Sequence, residues 1–202
     1  DGGQMLLQNK TAIITGSNRG IGKAVLETFA ENGADIFACV RKESDEFSNV
    51  TARLSEKTGV SITPVYFDLA ESERVKSGIK SILSSKKQID ILVNNAGVAS
   101  GSFFQMTSLK DLKQVYEINF FSQVLFTQGI SRYMTRFKTG SIINIASTAG
   151  LIGDAGMTSY GSSKAALMFA TKTMATELGE MNIRVNAIAP SITKTDMFDQ
   201  ME

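Results

Sequence analysis

A chain of 202 residues with 43% apolar residues suits one globular domain, and 21 basic against 20 acidic residues give no support to nucleic-acid or anionic-membrane binding. With no histidine, Ser-His-Asp hydrolysis, HExxH zinc chemistry and most metal sites are excluded together, so no metal is expected. The one cysteine, Cys39, lies in an apolar run and allows no disulfide within the chain, which fits a reducing compartment.

No apolar run approaches the roughly 18 residues of a membrane span, and the N-terminus has no charged start followed by an apolar signal region. Residues 5–202 are therefore expected to form one cytoplasmic domain without a membrane partner. Asp1 to Gln4 precede Met5 and read as a leftover of cloning, outside the fold.

Thr11 to Thr15 is a short β-branched run that reads as a buried strand, and Gly16-Ser17-Asn18-Arg19-Gly20-Ile21-Gly22 follows it. Ile21, Ala24, Val25 and Phe29 then recur at helical spacing up to a stop at Asn32-Gly33. Asp35 to Val40 is a second apolar strand. Strand, glycine-rich turn, helix and strand within about 30 residues make a dinucleotide-binding βαβ unit. The rhythm continues. Phe47, Val50 and Leu54 mark a helix closed by Gly59, and Ile62 to Phe67 a strand that delivers Asp68-Leu69. Val75, Ile79, Ile82 and Leu83 mark another helix, followed by a strand from Ile89 to Val93. The segment 109–137 is predicted to be mostly helical, with Asn119 near its middle. Ser141 to Ala146 is the fifth strand, Tyr160 to Leu178 a helix, and Ile183 to Ala189 the sixth strand. Near-continuously apolar strands alternating with helices predict an α/β fold. Its form is a Rossmann-type doubly wound parallel sheet in three layers, with ligands at the carboxyl ends of the strands.

The glycine turn is the first candidate site. Gly16 lets the chain bend off the strand, and Gly20 and Gly22 let backbone approach a pyrophosphate at the positive end of the next helix. A P-loop is excluded, because the residue five after Gly16 is Ile21 and Lys23 is followed by Ala24. The second strand ends Cys39-Val40-Arg41-Lys42, with no acid before Glu43. An acid there would hold a ribose 2′-hydroxyl, whereas Arg41, with Arg19 in the turn, suits a 2′-phosphate. NADP(H) is therefore expected over NAD. Asp68 serves equally as an acceptor for the adenine amino group or as a cap for the next helix. Asn94-Asn95-Ala96-Gly97 falls at the carboxyl end of the fourth strand, where small residues let backbone lie against a cofactor. Tyr160 and Lys164, four residues apart, share a helix face, and an ammonium beside a phenol favours the phenolate. Ser147 ends the fifth strand near the same crevice. Asn119 sits among Ile118, Phe120 and Phe121, where an amide is costly unless bonded.

The ordered set Thr15-Gly16-x-x-x-Gly20-x-Gly22, Asn94-Asn95-Ala96-Gly97, Asn119, Ser147, Tyr160-x-x-x-Lys164 and residues 190–195 resembles the short-chain dehydrogenases/reductases from Met5 onward. Within that family the chain looks most like bacterial 3-oxoacyl-[acyl-carrier-protein] reductases, through residues 150–160, 160–167 and 183–190. The resemblance implies Tyr160 as general acid, Lys164 as the group that lowers its pKa and holds the nicotinamide ribose, and Ser147 as a donor to the substrate carbonyl. It implies that Asn119 holds a relay water. Cofactor contacts are expected from 16–22, Arg41, Asp68, Leu69, Asn95, Ala96, Gly97, Tyr160, Lys164, Pro190, Thr193 and Thr195. The implied substrate is a 3-oxoacyl thioester, small or carried by acyl-carrier protein. A sugar, steroid or small ketone, or cofactor binding without turnover, are the alternatives. A homodimer or homotetramer through 109–137 and 160–178 is also implied.

Two departures stand out. Ser191 follows Pro190 where the family commonly has glycine. The chain also stops at Glu202, where relatives continue into a substrate-covering helix pair and a seventh strand, so both are expected to be absent.

Overall fold

A computed structural model describes residues 5–193. The expected cofactor contact at Thr195 and the leader 1–4 lie outside the described residues. Six parallel strands, β1 (Thr11–Thr15), β2 (Asp35–Val40), β3 (Ile62–Tyr66), β4 (Ile91–Asn94), β5 (Gly140–Ile145) and β6 (Ile183–Ile188), pair in the order β3-β2-β1-β4-β5-β6. The order reverses between β1 and β4, so the chain leaves these two neighbours in opposite directions and opens a crevice at their carboxyl ends.

Successive side chains alternate between the two faces of the sheet, and β1, β2 and β4 are buried on both. Ile14 and Ala38 point with Leu26 and Ala30 of α1 (Gly20–Glu31) and Phe47 and Leu54 of α2 (Asp45–Thr58). Ile13, Phe37, Leu92 and Ile142 point the other way, onto Val75 and Ile82 of α3 (Ser72–Ser84) and Phe126, Ile130 and Met134 of α5 (Ser122–Met134). Met174 and Leu178 of α6 (Thr158–Gly179) pack on the same side. The result is the three-layer, doubly wound sheet predicted from the βα rhythm.

Local chemistry sets the element ends. Ser44 caps α2 by accepting from Phe47 N at 3.2 Å, and Gly59 closes it in the left-handed region at φ 76°. The fourth strand starts at Ile91 rather than the predicted Ile89, because the Asp90 carboxylate takes the Thr11 N–H at 2.9 Å in place of a ladder bond. The segment 109–137, predicted to be mostly helical, is helical in three pieces. Helix α4 (Leu109–Tyr116) runs into a π-helical turn (Glu117–Phe121) and then α5, which ends three residues early at Met134.

Candidate active site

The glycine turn is shaped by contact as well as by φ. Gly16 and Gly20 sit at φ 67° and 52°, where a side chain is strained. A Cβ on Gly16 would lie 2.9 Å from Ala96 Cα, and one on Gly22 would collide with the Gly16 carbonyl and the Asn95 amide. The turn therefore lies directly on the loop after β4. Arg19 occupies the cap position of α1 without a side-chain cap, and the first turn holds no acid. The helix's leading N–H groups are left to a ligand, the arrangement that suits a pyrophosphate.

Asn95 and Thr15 tie the two strand ends together. Asn95 Nδ2 donates to Thr15 O and Gly16 O at 3.0 and 3.1 Å, while Thr15 Oγ1 accepts from Asn95 N and Ala96 N at 3.0 and 3.1 Å. The sequence places Thr15 at the end of a strand and at the head of the glycine motif, but does not show this tie to Asn95 and Ala96.

A cleft of about 680 Å³ runs along this edge. At one end stand Arg19, Arg41 and Lys42, none paired with a carboxylate among the described residues. Asn18, Ile21, Asp68, Leu69, Asn95, Ala96 and Gly97 continue the lining, and Ser147, Tyr160, Lys164, Pro190 and Thr193 form its other end. Asp68 Oδ1 accepts from Ala70 N at 2.8 Å, a local turn rather than a cap on α3, whose cap position is Glu71. Ser17, Gly20, Gly22 and Asn119 do not line the cleft. Ser17 is fully buried with its hydroxyl on Cys39 O at 3.4 Å, so its side chain faces the sheet. The spacing of a motif places its backbone and leaves the rotation of such a residue unspecified.

Asn119, also fully buried, accepts from Val98 N and donates to Val98 O, both at 2.9 Å, and donates to Ser163 Oγ at 3.1 Å. Its amide is a clamp on the loop after β4. Ser147 ends the β5 segment and accepts from Ala149 N at 3.2 Å, capping a short 3₁₀ turn (Thr148–Gly150) that packs on α6. Lys164 is 3% exposed and donates to Ile145 O at 2.9 Å.

The electrostatics differ from the expected pair. Burial pulls the Lys164 ammonium down to about 8. Burial also pushes the Tyr160 phenol above its ordinary value, with the Ser147 side chain working against that rise. The expected lowering of the phenol by Lys164 is not seen: burial dominates, and Ser147 rather than Lys164 opposes it. The lysine nitrogen lies over the ring, 5.9 Å from its centroid, and spends its bond on the Ile145 carbonyl. Tyr160 is therefore a protonated donor at neutral pH.

Sequence reasoning also missed Ser122 and Gln123, which reach the Leu69 and Ala96 carbonyls at 2.5 and 2.6 Å. Two polar residues within the apolar run 118–126 were the signal.

Residues 10–202 match the profile of the short chain dehydrogenases. The 3-oxoacyl-[acyl-carrier-protein] reductase of Aquifex aeolicus is 35% identical over 194 residues, 96% of this chain and 78% of that protein. The enzyme of that name from Chlamydia trachomatis is 36% identical over 193 residues, 95% and 77% of the two chains. Among solved structures, L-sorbose reductase from Gluconobacter frateurii, complexed with NADPH and L-sorbose, superposes with a TM-score of 0.88 at 36% identity, covering 95% of this chain and 73% of that one. A short-chain type dehydrogenase/reductase from Mycobacterium marinum gives 0.90 at 30% identity, over 98% and 78%. The parallel sheet, the glycine turn laid against the β4 loop and these matches agree: the chain belongs to the short-chain dehydrogenase/reductase family, oxidoreductases that use a nicotinamide cofactor.

Proposed function

We propose that the protein reduces the ketone of a 3-oxoacyl thioester with NADPH. The observation that carries the reading is the gathering of Ser147, Tyr160 and Lys164 at one end of a cleft whose other end holds Arg19, Arg41 and Lys42. The Gly16–Gly22 turn and the open α1 N-terminus would hold the pyrophosphate, Asp68 and Leu69 would flank the adenine, and Arg19 and Arg41 would grip the 2′-phosphate. Pro190 and Thr193 would meet the carboxamide. The cofactor supplies a hydride to the carbonyl carbon.

The chain's own groups supply the proton and the electrostatics. The buried phenol of Tyr160 holds its proton firmly and gives it to the carbonyl oxygen as negative charge develops there. Ser147 donates a second hydrogen bond to that oxygen, an interaction stronger in the transition state than in the ground state. Lys164 would hold the nicotinamide ribose hydroxyls and supply positive charge beside Tyr160. Asn119 keeps the 98 loop in register. Homology to reductases named for acyl-carrier-protein substrates supports the thioester.

A second reading, reduction of a keto sugar, is supported by two observations. The solved L-sorbose reductase is as similar in sequence as the curated acyl reductases. Asp154 also lines the cleft, and a carboxylate suits hydroxyls better than an acyl chain. Association into a homo-oligomer is part of either reading, supported by Phe169 on α6, which is 72% exposed beside Leu151 and Ile152.

Oxidation of NADPH by the full chain, followed with acetoacetyl thioesters and with L-sorbose, tests both. Turnover of the thioester is expected, and turnover of the sugar alone moves the assignment to the second reading. Tyr160→Phe is expected to lower kcat about 10²- to 10⁴-fold, and wild-type turnover in that variant overturns the mechanism.

A further inference from the structure

Gln123 is an amide where an apolar side chain would fit. It lies at the start of α5, in the run Phe120-Phe121-Ser122-Gln123-Val124-Leu125-Phe126, and is 1% exposed. Its Nε2 donates to Ala96 O at 2.6 Å, whereas its Oε1 is buried without a partner among the described residues. A backbone carbonyl only accepts, so the nitrogen must face Ala96 and the oxygen must be the orphan. Turning the amide over would press two acceptors together. A buried unpaired acceptor is destabilising and offsets what the bond to Ala96 O contributes. Stability therefore does not explain the residue.

What it holds does. The Ala96 N–H is fixed on Thr15 Oγ1 at 3.1 Å and its C=O on Gln123, so the peptide planes on both sides of Ala96 are pinned. No cis peptide is present among the described residues. In a trans peptide the C=O and the following N–H point in opposite directions. With Ala96 O drawn back toward α5, the Gly97 N–H is directed forward, and Gly97 lines the cleft. That N–H has no protein acceptor among the described residues. The neighbouring peptides are held from the same stretch, by Asn119 on Val98 and Ser122 on Leu69.

We infer that Gln123 is a positioning residue: by holding the Ala96 carbonyl against α5, it aims the Gly97 N–H into the cleft as a donor to an oxygen of the bound dinucleotide. The inference rests on reading the cleft as the cofactor site. Gln123→Met keeps length and apolar volume and removes the amide. In the full chain, its thermal midpoint is expected to stay close to that of the wild type, because the orphan amide oxygen goes while the Ala96 carbonyl loses its donor. Its Kd for NADPH, read by fluorescence titration, is expected to rise about five- to tenfold, the worth of one oriented hydrogen bond. Amide exchange over 95–98 should speed up in parallel. Gln123→Glu, which turns an acceptor on Ala96 O, should weaken binding at least as much. A folded Met variant that binds NADPH as tightly as the wild type overturns the inference, and Gln123→Leu decides on the same readout if the Met variant does not fold. If the wild-type chain itself binds neither NADPH nor NADH, the site reading fails and the inference falls with it.

Discussion

The Lys164 nitrogen lies 5.9 Å from the centroid of the Tyr160 ring, over its face rather than at its hydroxyl. The two residues therefore share a helix face without sharing a proton. Lys164 is left as a buried cation whose one hydrogen bond among the described residues goes to the Ile145 carbonyl. That arrangement has a cost which depends on pH.

The folded lysine ionises near 8, below its ordinary 10.5, so the fold favours the neutral amine. The stability this contributes is fully present above 10.5 and is lost as pH falls through 8. A displacement of that size is worth on the order of 3 kcal/mol. Urea unfolding of the wild type and of Lys164→Met should be compared at pH 7.5 and at pH 10. The wild type is expected to gain on the variant as pH rises, since methionine keeps the apolar stem and carries no titrating group. A difference that does not move with pH rules out the buried-cation account.

The two arginines at the far end of the cleft are expected to favour NADPH over NADH. Arg41→Ala and Arg19→Ala are each expected to raise the NADPH KM about tenfold while leaving the NADH KM near its starting value. The readout is the ratio of kcat/KM for the two nucleotides. Equal loss with both would mean that the guanidinium groups do not meet the 2′-phosphate.

Glycine at 22 is needed for space rather than for φ. Gly22→Ala would drive a methyl into the Gly16 carbonyl and the Asn95 amide, and backbone on a strand end cannot give way cheaply. A fall in thermal midpoint of several degrees is expected, roughly 2 kcal/mol of lost stability, with loss of nucleotide binding. Gly101→Ala, where an added methyl meets nothing within 4 Å, is the control expected to behave as wild type. Normal NADPH binding by the Gly22 variant would show that the turn relaxes.

The alternation of apolar strands with helices was legible because a parallel sheet buries both faces, and β1 and β2 begin and end at the predicted residues. The glycine turn and the Tyr160–Lys164 face were legible as well, being matters of spacing along the backbone. What spacing does not carry is environment. The direction in which Tyr160 shifts depends on how much water the surrounding fold excludes, and Ser17 turned inward to the Cys39 carbonyl where its motif gave no rotation. The π turn was invisible for another reason: its flanking residues keep right-handed helical angles, φ −64° at Tyr116 and −69° at Ser122, and its composition is that of the helices beside it.

That π turn takes one more residue to close than the α turns around it. Deleting Phe120 or Phe121 would let an ordinary helix form there, but would shorten the spacing between Asn119 and Gln123 by one residue. The grips of Asn119 on Val98 and of Gln123 on Ala96 could then not be kept together. Length is thus constrained even at Phe121, where the side chain itself is 53% exposed. Variants of this chain that change residues there should survive far more often than variants that add or drop one.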